Sequence, residues 1–253
     1  MKKIVAISDT HGSDFLDIIP ECDILLIGGD ISPVKMPHDF NSQRGWFRKR
    51  FIPQLIELRK KCGNIVLTAG NHDTFFYECS VSKKENSEIR SILPSGVFYL
   101  NNNGMKIHGI NIYGTPFVNL PIWGEAGPPV WNFASSNHSF FSEIISGIPS
   151  GVDIILSHGP AYGYADQILD ENLLANAFAM YKDRLKAEHL GVKAFAENLK
   201  NKRFRRLKYF LSGHIHSAEH EFVENEAGVK FACISVLDEN YKLRYDPKII
   251  EIE

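Results

Sequence analysis

Five short apolar runs in this chain each end in a carboxylate, amide or imidazole. IVAIS runs into Asp9-Thr10-His11, DILLIGG into Asp30 and NIVLTAG into Asn71-His72-Asp73. DIILS ends in His158, and KYFLSG ends in His214-Ile215-His216. Each run has the length of a fully buried strand, which reads as continuously apolar rather than alternating. In open α/β sheets ligands collect at the carboxyl ends of strands, because the following loops are free to converge there. Strands sharing that geometry would bring Asp9, Asp30, Asn71 and up to five histidines to one place.

Imidazole suits Zn, Fe or Ni, and carboxylate suits Mn or Mg, so the mixture fits first-row metals. One ion would not use so many donors, whereas two ions would share them. In a two-metal site ions about 3.5–4 Å apart clamp a phosphoryl group and activate a water. The i,i+2 spacing of Asp9 with His11, and of His214 with His216, lets both members point the same way from extended chain. Gly28-Gly29, Gly70 and Gly213 let the backbone turn where side chains would crowd the ions.

The rest of the chain supports an ordinary globular fold. Its 253 residues are 44% hydrophobic and 23% charged, a balance that excludes disordered and collagen-like classes. We expect one domain over 1–253, since no repeat, low-complexity tract or long linker divides it. The formal charge of −2 argues against stable nucleic-acid binding by a broad basic surface. It leaves room for a phosphate substrate neutralised by metal. No apolar run reaches the roughly 20 residues that span a bilayer, and Cys22, Cys62, Cys79 and Cys233 are too scattered for a disulfide framework. Both features point to a reduced, cytoplasmic setting without membrane partners.

Helical spacing of Phe40, Phe47, Phe51, Leu55 and Leu58 predicts a helix within Asp39–Lys61. Phe140–Ile148 and Val192–Leu199 are further expected helices. Met105–His108 and Ile110–Tyr113, meeting at Gly109, predict a hairpin. Pro116–Pro129 and Ala165–His189 are expected surface elaborations, either lids or ordinary connections.

The series DTH, GGD, GNHD, SH and GHIH resembles the calcineurin-like metallophosphoesterase superfamily, with all five signature blocks spread over residues 9 to 216. GVDIILSHGPAYG, IYGTPF, LSGHIHSAEH and the closing ISVLDENYKLRYDPKIIEIE look like the branch of metallophosphoesterase-domain-containing proteins. The chain departs from that branch in its long Ala165–His189 stretch and in GNHD, where GNHE is frequent. The resemblance implies an α/β fold of two facing β-sheets flanked by helices. It implies one divalent ion on Asp9, His11, Asp30 and His216, and a second on Asp30, Asn71, His158 and His214. Mn is favoured among Mn, Fe, Zn and Mg. It further implies a metal-bridging hydroxide as nucleophile and His72 as the acid that protonates the leaving oxygen. Asp73 would orient His72, or cap the following TFFYE helix.

The expected reaction is hydrolysis of a small phosphodiester such as a cyclic nucleotide. The same ligand set would also serve a phosphomonoesterase or nuclease. A non-catalytic interaction module is the rival from another class, and the intact ligand set speaks against it. The absence of GxSxG and of a P-loop disfavours serine-hydrolase and nucleotide-cradle chemistry. Outside the blocks, His108 is expected to be packed or solvated, and His38, His138 and His220 have no assigned role. His189 is a candidate for the substrate cleft. Trp123 and Trp131, near Asn119, could stack on a base or pin their loop. Lys202, Arg203, Arg205, Arg206 and Lys208 read as a solvated helix end, with phosphate steering or an RNA contact as the alternative.

Overall fold

In the computed structural model the described residues are 1–36, 39–82, 88–119, 132–169 and 189–252. The strands in chain order are β1 (Lys2–Ile7), β2 (Cys22–Gly28), β3 (Cys62–Thr68), β4 (Val97–Tyr99), β5 (Asn103–Ile107), β6 (Ile110–Thr115) and β7 (Val118–Asn119). They continue as β8 (Ala134–Ser135), β9 (Ile154–Ser157), β10 (Tyr209–Ser212), β11 (Val223–Glu224), β12 (Lys230–Cys233) and β13 (Lys248–Ile252). All five apolar runs are strands: β1, β2, β3, β9 and β10.

They divide between two sheets, one ordered β13-β1-β2-β3-β4 and the other β11-β12-β10-β9-β6-β5. Neighbours run parallel through β1-β2-β3-β4 and through β6-β9-β10-β12. The outer pairs with β13, β5 and β11 are antiparallel. The parallel interiors explain why the runs read as unbroken apolar sequence, since both faces of each strand are covered.

Alternation along a strand sends successive side chains to opposite layers. In β1, Ile4 and Ala6 join Ile24, Leu26, Val66, Ile112, Ile154, Leu156 and Leu211 in the layer between the sheets. Val5 and Ile7 face outward with Leu25, Ile27, Ile65 and Leu67 onto Phe47, Phe51, Leu55, Phe75 and Phe76. The second sheet turns Tyr113, Ile155, Phe210 and Phe231 outward onto Phe141, Ile145, Phe195 and Leu199. A fully buried aliphatic or aromatic side chain contributes about 1.5–3 kcal/mol, so each strand fastens its sheet to layers on both sides. The result is the expected sandwich of two facing sheets between helices.

The helices are α1 (Phe40–Trp46), α2 (Ile52–Leu58), α3 (Thr74–Val81), α4 (Glu88–Ile92), α5 (His138–Gly147) and α6 (Lys193–Leu199). A π turn over Phe47–Phe51 joins α1 to α2 without a break. Pro53 has no amide to continue an α ladder, and the chain widens to the π form just before it. The predicted hairpin is β5–β6, turning through His108 and Gly109 at φ +50° and +88°. Such a pair of positive angles suits a two-residue hairpin loop. At the carboxyl ends of the strands Ser8 bridges Ser235, so the first sheet meets the chain leaving β12 beside the site.

Candidate metal centre

The residues that follow the five strands converge, and the backbone there is strained. Asp9, His11, Asp30 and His214 adopt left-handed φ angles of +55°, +42°, +49° and +69°. A non-glycine side chain rarely accepts that region, and clusters of such residues mark sites where position is bought with strain. Two glycines make the convergence possible. A Cβ at Gly70 would sit 2.6 Å from His158 Nε2, and one at Gly213 would collide with the Asp9 carboxylate.

The potential ligand atoms fall into two groups. Asp9, His11 and His216 form one and Asp30, His158 and His214 the other, with the atoms of each within 4.8 Å of one another. Asp30 stands between the groups: its Oδ2 is 3.7 Å from His11 Nε2, and its Oδ1 is 3.3 Å from His158 Nε2. Asn71 joins the second group, its Oδ1 lying 3.0 Å from His158 Nε2.

The donor set fits divalent metal. His158 donates its Nδ1–H to the Gly28 carbonyl at 2.9 Å, and His216 donates its Nδ1–H to the Asp238 carbonyl at 3.0 Å. In the neutral imidazoles each Nε2 lone pair is therefore aimed into the cluster, the arrangement that backbone carbonyls commonly impose on ligand histidines. There the lone pairs meet oxygens that are themselves acceptors. The buried Nδ1 of His11 also has no hydrogen-bond partner. Such a concentration of acceptors away from water requires compensating positive charge.

Without metal, protons take that place. Burial pushes the His158 imidazole down, but Asp30, Asp9 and the Gly28 carbonyl prevail and raise it to about 9. Burial likewise opposes the charge on His216, and the hydrogen bond and charge of Asp9 carry it up to about 9. Burial dominates at His11 and His214, which fall to about 4 and about 3. Burial disfavours the Asp9 carboxylate, yet His216 and His158 hold it down at about 2. Burial also opposes the Asp30 charge, and His158, His72 and His11 keep its pKa well below the usual range.

His72 sits at the opening, its side chain 21% exposed and its Nε2 3.9 Å from Asp30 Oδ2. Its backbone is fixed at two points: its amide donates to Asp30 Oδ1 at 2.8 Å, and its carbonyl accepts from Gln43 Nε2 at 2.8 Å. Gln43 is buried on α1 and also accepts from the Phe75 amide at 3.1 Å and from the Ser32 hydroxyl at 3.2 Å. Asn132 supports the neighbouring residue, donating through its side chain to the Asn71 carbonyl and Thr74 hydroxyl at 3.2 and 2.9 Å.

Asp73 occupies the N-cap position of α3 but makes no side-chain capping bond. Both its oxygens accept backbone amides instead: Ser32 at 2.8 Å, Gly70 at 2.9 Å and Ile31 at 3.1 and 3.3 Å. Its work is to tie the loop after β2 to the loop after β3, which positions His72 through the chain. Burial and the nearby Asp30 charge raise its pKa, against the pull of those amides.

All nine expected site residues are thus brought together. Gln43, Asn132, Asp238 and Tyr241 were not foreseen. Gln43 and Asn132 act across long sequence separations and carry no local motif. Asp238 and Tyr241 lie in the closing ISVLDENYKLRYDPKIIEIE stretch, whose likeness to the branch assigned neither a role. Of the other histidines, His108 is in an exposed turn and His138 pairs with Glu197 at 3.0 Å. His220 stacks on Tyr245 and donates its Nε2–H to the His216 carbonyl at 2.9 Å. His189 donates its Nδ1–H to the Asp166 carboxylate at 2.7 Å. Asn119 donates to the Leu190 carbonyl at 3.4 Å. His38, Trp123 and Trp131 lie outside the described residues, as do most of Pro116–Pro129 and Ala165–His189. The basic run is more than a solvated end: Arg203 donates to the Ile145, Ser146 and Ile148 carbonyls at 2.9, 3.1 and 2.5 Å, closing the carboxyl end of α5.

Residues 2–218 match the family model described as calcineurin-like phosphoesterase. The chain belongs to that family. A UPF0046 protein of Caenorhabditis elegans is 26% identical over 99% of this chain and 60% of its own length. Human metallophosphoesterase domain-containing protein 1 is 27% identical over 66% of this chain and 51% of its own length. The chain therefore spans between half and three-fifths of these two relatives. The crystal structure of a Thermus thermophilus protein shares the fold, with a TM-score of 0.54 at 11% identity over 92% of this chain and 88% of that one. Among the described residues of this family member no helix is long and apolar enough to cross a membrane.

Proposed function

We propose that this calcineurin-like protein is a metal-dependent phosphoesterase that hydrolyses a small phosphodiester. The position of Asp30 carries the reading, because its two oxygens face the two groups separately. In this reading Asp9, His11, Asp30 and His216 hold one divalent ion, and Asp30, Asn71, His158 and His214 hold the second. Bound there, the ions supply Lewis acidity towards a phosphoryl group and lower the pKa of a water to about 7. Mn is the metal we favour among Mn, Fe, Zn and Mg, all of which can occupy a set mixing carboxylate, amide oxygen and imidazole.

His72 binds at the open side of this cluster and delivers a proton to the leaving oxygen. Its main chain is clamped by Asp30 and Gln43, so the ring holds its place while its edge remains open to substrate. Asp73 keeps the Gly70–Asp73 turn against the loop after β2 and so acts as a positioning residue. Both sheets contribute residues to the centre, which supports reading 1–253 as one domain. The formal charge of −2 favours a small substrate, a cyclic nucleotide among the candidates, over a polymer gripped along its backbone.

The test strips the protein with chelator, restores Mn²⁺, and compares hydrolysis of bis-p-nitrophenyl phosphate with that of p-nitrophenyl phosphate, beside an Asp30→Ala control. Mn²⁺-dependent turnover of the diester, lost in the control, is the expected result. Preference for the monoester would change the substrate class. Activity that survives Asp30→Ala would overturn the site.

A further inference from the structure

Tyr241 stands against the group formed by Asp9, His11 and His216. Its ring centroid is 5.0 Å from that of His11 and 5.4 Å from that of His216, both edge-to-face, with interplanar angles of 89° and 88°. Yet 46% of the residue remains exposed, so these contacts do not enclose it.

The turn that carries this ring is tightly built. Leu237 and Leu243 form an antiparallel bridge. Between them the Asp238 amide donates to the Lys242 carbonyl at 2.8 Å, and the Tyr241 amide donates to the Asp238 carbonyl at 2.9 Å. The Asp238 carboxylate accepts the Asn240 and Lys242 amides at 2.9 and 3.0 Å. This is a three-residue hairpin loop whose last position is left-handed, a place that glycine usually takes. Tyr241 takes it at φ +57°, although a bulky side chain is strained there. The turn does not need the ring for its own stability. Asp238 pins it from within, and Glu239 anchors it by accepting from the Ser217 amide and hydroxyl at 3.0 and 2.9 Å. A strained, half-exposed aromatic on a rigid turn beside a reactive cluster signals function.

We propose that Tyr241 selects the organic part of the substrate by packing its ring against a planar aromatic group, nucleobase or aryl, carried on the phosphoester. The inference rests on the phosphoesterase reading above and deepens it. A phosphoryl group held at the cluster would carry its ester substituent within reach of the imidazoles that the Tyr241 ring packs against. Ring-on-ring contact of this kind tolerates differences in base identity, so the residue sets a class of substrate rather than one compound. Aliphatic esters gain little from it.

Equilibrium binding to the Mn²⁺-loaded protein by calorimetry tests this, with AMP and inorganic phosphate as probes and Tyr241→Gly and Tyr241→Phe as variants. Tyr241→Gly should weaken AMP about tenfold, leave phosphate affinity and Mn²⁺ stoichiometry unchanged, and melt no lower than the native protein. Tyr241→Phe should retain AMP affinity. Unchanged AMP affinity in Tyr241→Gly would overturn the proposal. Parallel loss of AMP and phosphate would also overturn it, making the ring a prop for the cluster. A native protein that holds two Mn²⁺ and binds neither probe would overturn the phosphoesterase reading itself. One that binds both probes equally would overturn only the role of Tyr241.

Discussion

His158 Nε2 faces Asn71 Oδ1 at 3.0 Å, while His158 Nδ1–H is already given to the Gly28 carbonyl. Asp30 Oδ1 lies 3.3 Å from the same Nε2, so a proton or a cation placed there answers a carboxylate as well as the amide oxygen. In chelated protein the proton does so, and stability then depends on pH. His158 and His216 rise on folding from 6.5 to about 9. A group raised in this way stabilises fully below its unfolded pKa and loses that contribution as pH climbs through the folded value. His11 and His214 fall from 6.5 to about 4 and about 3, so they cost stability as pH drops below 6.5. The melting midpoint of chelated protein should therefore peak near pH 6.5 and decline towards pH 9 and pH 4. Saturating Mn²⁺ should flatten the alkaline limb. A midpoint in chelator that rises from pH 7 to 9 would contradict these charge relations.

Gly70 tests whether the close approach of ligands is needed. A Cβ there would lie 2.6 Å from both His158 Nε2 and the Asp30 backbone nitrogen, and nearer still to the Asp30 carboxylate. The main chain of Asp30 is already strained and cannot retreat freely. Gly70→Ala should cost about 1–3 kcal/mol of stability and weaken Mn²⁺ binding about 10- to 100-fold. Denaturant melts and a metal titration check the two effects separately.

The parts of this molecule that were legible in sequence are those that obey a local rule. The five parallel strands are buried on both faces, so each reads as an unbroken apolar run, and the ligands stand immediately behind them. The helix within Asp39–Lys61 was visible from its phenylalanines, but the π turn before Pro53 was not, because helical periodicity is too coarse to register one extra residue. Asp73 was expected to orient His72 or, from its place before TFFYE, to cap the next helix. Its real partners include the Ile31 and Ser32 amides, 42 and 41 residues away, and no local pattern announces them. Gln43 and Asp238 escaped for the same reason: they hold His72 and His216 through backbone carbonyls brought near only by the finished fold.

Asp73 is the residue whose loss should do most structural harm. It receives three buried amides from two loops, and truncation leaves them without an acceptor. Asp73→Ala should cost on the order of 3 kcal/mol and weaken Mn²⁺ binding as the Asp30 and Asn71 loops separate. Asp73→Asn retains one acceptor oxygen and should lie between. Calorimetric melting in chelator isolates the structural loss from the metal effect. Native-like melting of Asp73→Ala would show that the loops do not depend on this carboxylate.

His72 presents the opposite case, a residue whose ring should matter to chemistry and hardly at all to assembly. Its amide, rather than its ring, supports Asp30 at 2.8 Å, and its carbonyl anchors Gln43 at 2.8 Å, so His72→Ala preserves both bonds. Mn²⁺ stoichiometry and melting should stay close to native. If the ring protonates the leaving oxygen, kcat should fall about 10²- to 10⁴-fold. The loss should be smallest for a p-nitrophenyl ester, whose leaving group needs little protonation, and largest for an alkyl or ribosyl ester. Equal losses across leaving groups would instead assign His72 to phosphate binding, and equal losses of turnover and metal would make it part of the metal cage.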